Sequence, residues 1–181
     1  MSQLKSFLSR TCLLAFVATP GVFSFHLKSE PQSVDPRTFT AGESHYFFQA
    51  LYRGLTRYTI DGMLIFDLAE KCTYRIDTLM NCKLRKNLKW SDGTPLVAQD
   101  VVDSFRRLVA PPSQCPCLPL LLDLKNAPEV MKGLAKPDQL GVKAINETEF
   151  QFEFTQGDRE FLEKLSNPLL AITKSFTKGQ P

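Results

Sequence analysis

Along the chain the apolar residues switch between two periods. Phe23, Phe25 and Leu27 alternate with polar neighbours, which predicts a short strand. Glu30-Pro31 and Asp35-Pro36 end it, because each proline biases the residue before it toward extended backbone. From Glu43 to Arg53 the period becomes helical. Phe47, Phe48, Leu51 and Leu55 fall on one face, and Gly54 suits the helix end. Asp61-Gly62 predicts a tight turn before an extended stretch from Met63 to Leu68. Residues 71–86 return to a period of two. Cys72, Tyr74 and Ile76 alternate on one arm, and Met80, Cys82 and Leu84 on the other. A turn near Asp77 puts all six on one face, with Cys72 opposite Cys82.

Trp90 to Pro95 is predicted as a turn built on Ser91-Asp92-Gly93. Ala98 to Val109 follows as a helix, with Val101, Val102, Phe105, Leu108 and Val109 as its apolar stripe. Pro111-Pro112 ends it. Residues 111–137 hold six of the 12 prolines and no clear period, so this stretch reads as loop with at most one helical turn. Gly141 to Ile145 and Thr148 to Thr155 predict a second hairpin turning at Asn146-Glu147, with Phe150, Phe152 and Phe154 on its buried face. Asp158 to Leu165 reads as a short helix capped by Asp158. From Ser166 onward no closing element is evident.

Composition narrows the picture. The 181 residues are 43% hydrophobic and 10% aromatic, enough to bury the core of an ordinary globular domain. The net charge is +3. The first 24 residues carry Lys5 and Arg10 and no acid, so the rest of the chain has 20 basic against 19 acidic residues. That balance leaves no footprint for nucleic acid. Lys5 and Arg10 lead into an uncharged apolar run from Thr11 to Phe25, the pattern of a secretory leader over residues 1–24. The run is shorter than the roughly 20 residues of a membrane span. A cleaved leader leaves no stable membrane anchor, and the alternatives are an uncleaved anchor or a buried first strand. Export would place the chain in an oxidising compartment.

Candidate chemistry is sparse. There is no glycine-rich phosphate loop, nucleophile elbow or paired metal-ligand motif, so no catalytic residue, metal ligand or cofactor is assigned. His26 and His45 read as ordinary surface or packing residues. Cys12 lies in the leader, which leaves four cysteines and three possible pairings. Cys72 and Cys82 are a possible disulfide, or else two buried thiols. Cys115-Pro116-Cys117 reads as too tight to bridge easily, and with no histidine nearby in sequence it makes a poor metal site.

One string is distinctive: Leu84-Arg85-Lys86-Asn87-Leu88-Lys89-Trp90-Ser91-Asp92-Gly93-Thr94-Pro95-Leu96-Val97-Ala98-Gln99-Asp100-Val101. It resembles the signature of the large periplasmic solute-binding proteins that deliver oligopeptides, dipeptides or nickel to ABC importers. Further matches occur in the same order: residues 30–36, Leu51-Tyr52-Arg53-Gly54-Leu55, Asp61-Gly62, Leu68-Ala69-Glu70, and residues 140–145, the last most similar to oligopeptide binders. The resemblance runs from about Phe25 to Lys174. The signature itself has a structural explanation in turn and helix-start chemistry. Where the family usually has a capping Thr, this chain has Val97, a departure expected to cost roughly 1 kcal/mol.

The resemblance implies an α/β (α+β) chain, the N-terminal part of a bilobed periplasmic-binding-protein-like fold. On that reading residues 1–24 are the signal peptide and 25–57 open the first lobe. Residues 58–156 form a small extra domain of hairpins and helices carrying the signature, and 157–181 begin the return to the first lobe. The second lobe is missing. The implied function is to bind peptides in the periplasm and deliver them to the permease subunits of an ABC importer. The implied ligand contact is Thr40-Ala41-Gly42, where oligopeptide binders carry an acidic residue, a glycine and an aliphatic residue. An aromatic that lines the family's peptide site near Cys117 is also absent, and Cys72 and Cys82 replace aromatics frequent in relatives. These departures support the alternative of a truncated, non-binding remnant or interaction module. Either way, the missing sheet is expected to leave apolar surface exposed around Phe25, Leu27 and Leu169-Leu170.

Overall fold

The structure is a computed structural model that describes Asp35 and residues 45–174. The leader, the strand expected at Phe23–Leu27, His26, and the contact segment Thr40-Ala41-Gly42 lie outside the described residues. The chain enters as helix α1, His45–Leu51, and passes to a two-stranded antiparallel ribbon of β1, Thr56–Tyr58, and β2, Leu64–Phe66. Gly62 takes the positive φ of +77° that the turn between them requires. A four-stranded sheet follows. Its strands are β3 (Ala69–Ile76), β4 (Leu79–Leu84), β5 (Val142–Ala144) and β6 (Glu149–Glu153). Their order is β3-β4-β6-β5, every neighbour antiparallel.

The alternation fixes this register. Cys72 lies opposite Cys82, Cys82 opposite Phe150, and Met80 opposite Phe152, so the apolar rows of both hairpins merge on one face. Helix α2, Ala98–Val109, covers that face, and all five residues of its stripe are buried. Phe152 is the hub. Its ring meets Phe105, Phe150 and Phe161 edge-on at 5.2, 5.5 and 5.0 Å. Burying each such ring contributes roughly 2–3 kcal/mol.

The start of α2 is held without a capping hydroxyl. Asp100 Oδ2 accepts the Val97 N–H at 2.8 Å and the Trp90 indole N–H at 3.2 Å. The Ala98 N–H goes to the Glu147 carbonyl at 2.8 Å, which ties the helix to the β5–β6 turn. In the preceding turn Asp92 Oδ1 accepts the Thr94 N–H at 2.9 Å, and Gly93 has φ +84°. Lys174 closes this corner by donating to Asp92 and to Thr94 Oγ1.

Several expectations are corrected. Leu51 is half-exposed, because Tyr52 instead stacks on Phe48 at 6.0 Å and takes the packing surface. Ile76 is exposed, because a register shift after Tyr74 turns it off the buried face. Residues 111–137 hold more regular structure than the single helical turn expected within a loop. They form 3-10 turns at Leu118–Leu121 and Pro137–Gln139 and helix α3 at Ala127–Met131, each with a proline in its first turn. Proline lacks only an N–H that a helix start leaves unpaired, so these prolines begin turns as well as break them.

The last helix, α4, spans only Phe161–Lys164. Asp158 precedes it and accepts the Glu160 N–H at 3.1 Å. Leu169 and Leu170 are buried rather than exposed. A 3-10 turn at Pro168–Leu170, capped by Asn167, packs them against α1. Cys115 and Cys117 are joined by a disulfide with Cα atoms 5.1 Å apart. A turn that returns the Leu118 N–H to the Cys115 carbonyl at 3.1 Å folds the two side chains together, which overcomes the short spacing. Cys72 and Cys82 are joined as well, with Cα atoms 4.1 Å apart.

Candidate functional site

A groove of about 800 Å³ opens where α1, β1 and the chain after α4 converge. Helix α1 forms one of its walls; Thr40-Ala41-Gly42 precedes α1 in sequence and lies outside the described residues. Gly54 lies at the groove because the backbone crosses closely there. A Cβ on it would come within 3.0 Å of the Leu165 carbonyl and 3.1 Å of the Thr56 carbonyl. Thr56 fastens the crossing by donating its hydroxyl to the Leu162 carbonyl at 2.7 Å.

The charged centre of the groove is Asp67, whose side chain is only 6% exposed. Arg53 grips it through Nη2 and through Nε at 3.2 Å, a bidentate pair that raises the guanidinium's pKa further above its ordinary value. Arg57 Nε stands 3.8 Å away, with half its side chain exposed to the groove. Arg85 closes the back, donating to the Asp67 carbonyl at 2.6 Å and the Phe66 carbonyl at 3.0 Å. One buried carboxylate thus faces two guanidiniums, and Arg57 retains donors for a ligand.

On the opposite wall Lys164 is turned away from the groove's needs. It bridges Asp158 at 2.7 Å and Asp123 at 3.2 Å. Burial pulls its pKa down, but the two carboxylates outweigh burial and raise it. Glu163 presents an exposed carboxylate, and Tyr52 and Tyr58 supply phenols. Burial, with the charge of Asp35 added, raises the Tyr52 pKa. β1 pairs only with β2, so among the described residues its other edge carries no strand. An open strand edge beside fixed charges can hold extended chain by backbone pairing.

The sequence alone places Arg53 at a helix end and Asp67 in an extended stretch and does not join them. The available signal was the turn at Asp61-Gly62, whose fold-back sends the Asp67 N–H to the Leu55 carbonyl at 2.9 Å. The Cys72–Cys82 pair lies in the β3–β4 hairpin, and the Asp92 turn and the Cys115–Cys117 pair lie before and after α2. Among the described residues no group of three or more His, Cys, Asp or Glu is placed to hold a metal. No described helix is long and apolar enough to cross a membrane.

Comparison with known proteins gives a consistent result. Residues 64–181 match the family described as bacterial extracellular solute-binding proteins, family 5, middle. The periplasmic murein peptide-binding protein MppA of Escherichia coli is 35% identical over 123 residues, 67% of this chain and 23% of that protein. The periplasmic oligopeptide-binding protein OppA of Haemophilus influenzae is 36% identical over 126 residues, again 67% and 23%. Among solved structures, the unliganded open form of MppA superposes with a TM-score of 0.77 at 30% identity, covering 82% of this chain and 29% of that one. Haemophilus influenzae OppA in complex with the peptide RPPGFSPFR gives 0.74 at 33% identity, covering 81% and 29%. The chain spans about a quarter of the length of the curated relatives it matches.

Proposed function

This chain belongs to the bacterial extracellular solute-binding proteins of family 5, and on that premise we propose that it contributes to peptide capture in the periplasm for an ABC importer. The observation that carries the reading is the similarity to two named peptide-binding proteins at 35% and 36% identity. The groove supplies suitable chemistry: an open edge on β1, the exposed Arg57 guanidinium and the Glu163 carboxylate. Thr40-Ala41-Gly42, which precedes α1 in sequence, is included in the proposal as a ligand contact. Within this reading residues 1–24 serve export, 25–57 and 157–181 belong to the first lobe, and 58–156 form the small extra domain. The permease subunits are the downstream partners.

A cleft buries its ligand between two walls, and this chain forms part of one. Peptide binding by the chain alone is therefore expected to be weak, with Kd near the millimolar range, about −4 kcal/mol. The test is titration calorimetry of the chain with a pool of two- to five-residue peptides. Saturable heat at millimolar peptide supports capture. Heat that stays at the dilution baseline throughout turns the assignment toward a non-binding remnant or interaction module. One observation favours that second reading: Thr40-Ala41-Gly42 lacks the acidic and aliphatic residues of oligopeptide binders.

A further inference from the structure

We propose that Cys115 and Cys117 form a reversible thiol–disulfide pair, a redox modification site that behaves differently from the Cys72–Cys82 brace. Its first support is that the folded chain has partners ready for both redox forms. Cys115 Sγ already accepts the Cys117 N–H at 3.2 Å. Cys117 Sγ lies 3.9 Å from the Leu169 carbonyl, an acceptor that only a thiol proton can use. Reduction moves the two sulfurs apart to van der Waals distance, with the Cys117 N–H beside Cys115 Sγ and the Leu169 carbonyl beside Cys117 Sγ available to the separated thiols. Cys72 and Cys82 differ. Their sulfurs have no such partner among the described residues, and the flanking ladder bonds hold them face to face.

Access is the second support. Both sulfurs are buried, Cys115 at 3% and Cys117 at 1% exposure, but only the exposed Pro116 separates them. The turn over them is held by two local bonds, Leu118 N–H to the Cys115 carbonyl and Leu120 N–H to the Cys117 carbonyl. Opening one turn uncovers the sulfurs without disturbing the sheet, a local event well below the cost of global unfolding. The third support is the span. A link across a sequence separation of 2 constrains the unfolded chain far less than one across 10, so its loss leaves folding largely intact. The pair also adjoins the groove, since Leu120 and Pro168, which line it, flank the Cys117–Leu169 contact.

The chemistry is thiol–disulfide exchange with a low-molecular-weight thiol. Its thiolate attacks one sulfur of the pair, the Cys115–Cys117 bond breaks, and the other cysteine leaves as thiolate. A second thiolate attacks the resulting mixed disulfide at the external sulfur and releases the small disulfide. The two cysteine thiolates take protons from water. Two electrons pass from the small thiol to the protein, and the reverse sequence restores the bond.

The test equilibrates the full chain in glutathione buffers of graded thiol-to-disulfide ratio. Acid quenching, alkylation and peptide mass analysis then report each pair separately, with circular dichroism followed in parallel. The expected result is half-reduction of Cys115–Cys117 at a ratio at least about threefold less reducing than Cys72–Cys82 needs, the effect of one weak hydrogen bond. The dichroism should stay unchanged over that interval. Conversion of both pairs at the same ratio overturns the proposal. So does a Cys115–Cys117 pair that stays in one state at every ratio, or one that converts only as the dichroism is lost.

Discussion

Asp100 organises the start of α2 from inside the helix. Its Oδ2 takes both the Val97 N–H and the Trp90 indole, so one oxygen links the signature turn to the helix. Replacing it with Ala orphans two donors, and Asp100→Ala is expected to cost about 1–2 kcal/mol in urea unfolding. Val97 leaves the reciprocal position empty. Val97→Thr would let a hydroxyl accept the Asp100 N–H and complete a capping box, with a gain of roughly 0.5–1 kcal/mol. No gain from the Thr variant would mean that the 3.0 Å bond already running from the Asp100 N–H to the Val97 carbonyl satisfies that donor. At this scale the sequence was informative wherever partners are close along the chain. The Asp92–Thr94 turn was readable from its residue types alone. The sequence shows Asp100 only as an acid in the first turn of a helix, because its second partner sits ten residues back and points inward only after folding.

Elements are legible when their period is clean and opaque when they are short. Both hairpins and α2 announce themselves by alternation or by an apolar stripe. Period does not reveal that β6 pairs with β4 across an intervening helix and the three short turns of residues 111–137. Those turns were hidden by their own prolines, which read as breakers. Two variants probe the elements. The Cys72–Cys82 link closes a loop with sequence separation 10, so the double variant Cys72→Ser, Cys82→Ser is expected to lose about 2–3 kcal/mol by urea unfolding. An unchanged midpoint would show that the wild-type thiols are not joined in solution. Gly141 sits where three backbone segments meet. Its N–H goes to the Lys125 carbonyl at 2.8 Å, and its carbonyl takes the Glu153 N–H at 2.8 Å. A Cβ there would overlap the Glu153 carbonyl oxygen and lie 2.8 Å from Lys125 Cβ. Gly141→Ala should therefore cost about 3 kcal/mol or more and lower the thermal midpoint accordingly. A midpoint close to wild type would show that the loop before β5 yields freely.

At the scale of the whole molecule, the segment after β6 fastens the groove unit to the sheet. The Ile172 N–H reaches the Arg53 carbonyl at 3.0 Å, and Ser104 Oγ donates to the Thr173 carbonyl at 2.8 Å. This is why Leu169 and Leu170 are buried although nothing local in their sequence shows it. The helix they pack against, α1, lies far back along the chain, and the Cys117–Leu169 contact spans 52 residues. Lys164 belongs to the same fastening, since it joins Asp158 beside α4 to Asp123 in the loop between α2 and α3. The two carboxylates overcome the burial that would otherwise lower its pKa, so the folded-state pKa stands above the ordinary lysine value of 10.5. A raised pKa means the contribution is fully present below the unfolded value and disappears as pH rises through the folded one. Lys164→Met leaves the buried Asp158 carboxylate without its cation and is expected to cost about 1–3 kcal/mol at pH 7. Urea unfolding of wild type and variant at pH 7, 9 and 11 separates this effect from other titrations, which the two proteins share. The stability gap should hold between pH 7 and 9 and narrow at pH 11, where the wild-type ammonium begins to lose its proton. A gap that persists undiminished as pH rises well past the lysine range would mean that the Met variant is destabilised by packing and not by the missing charge.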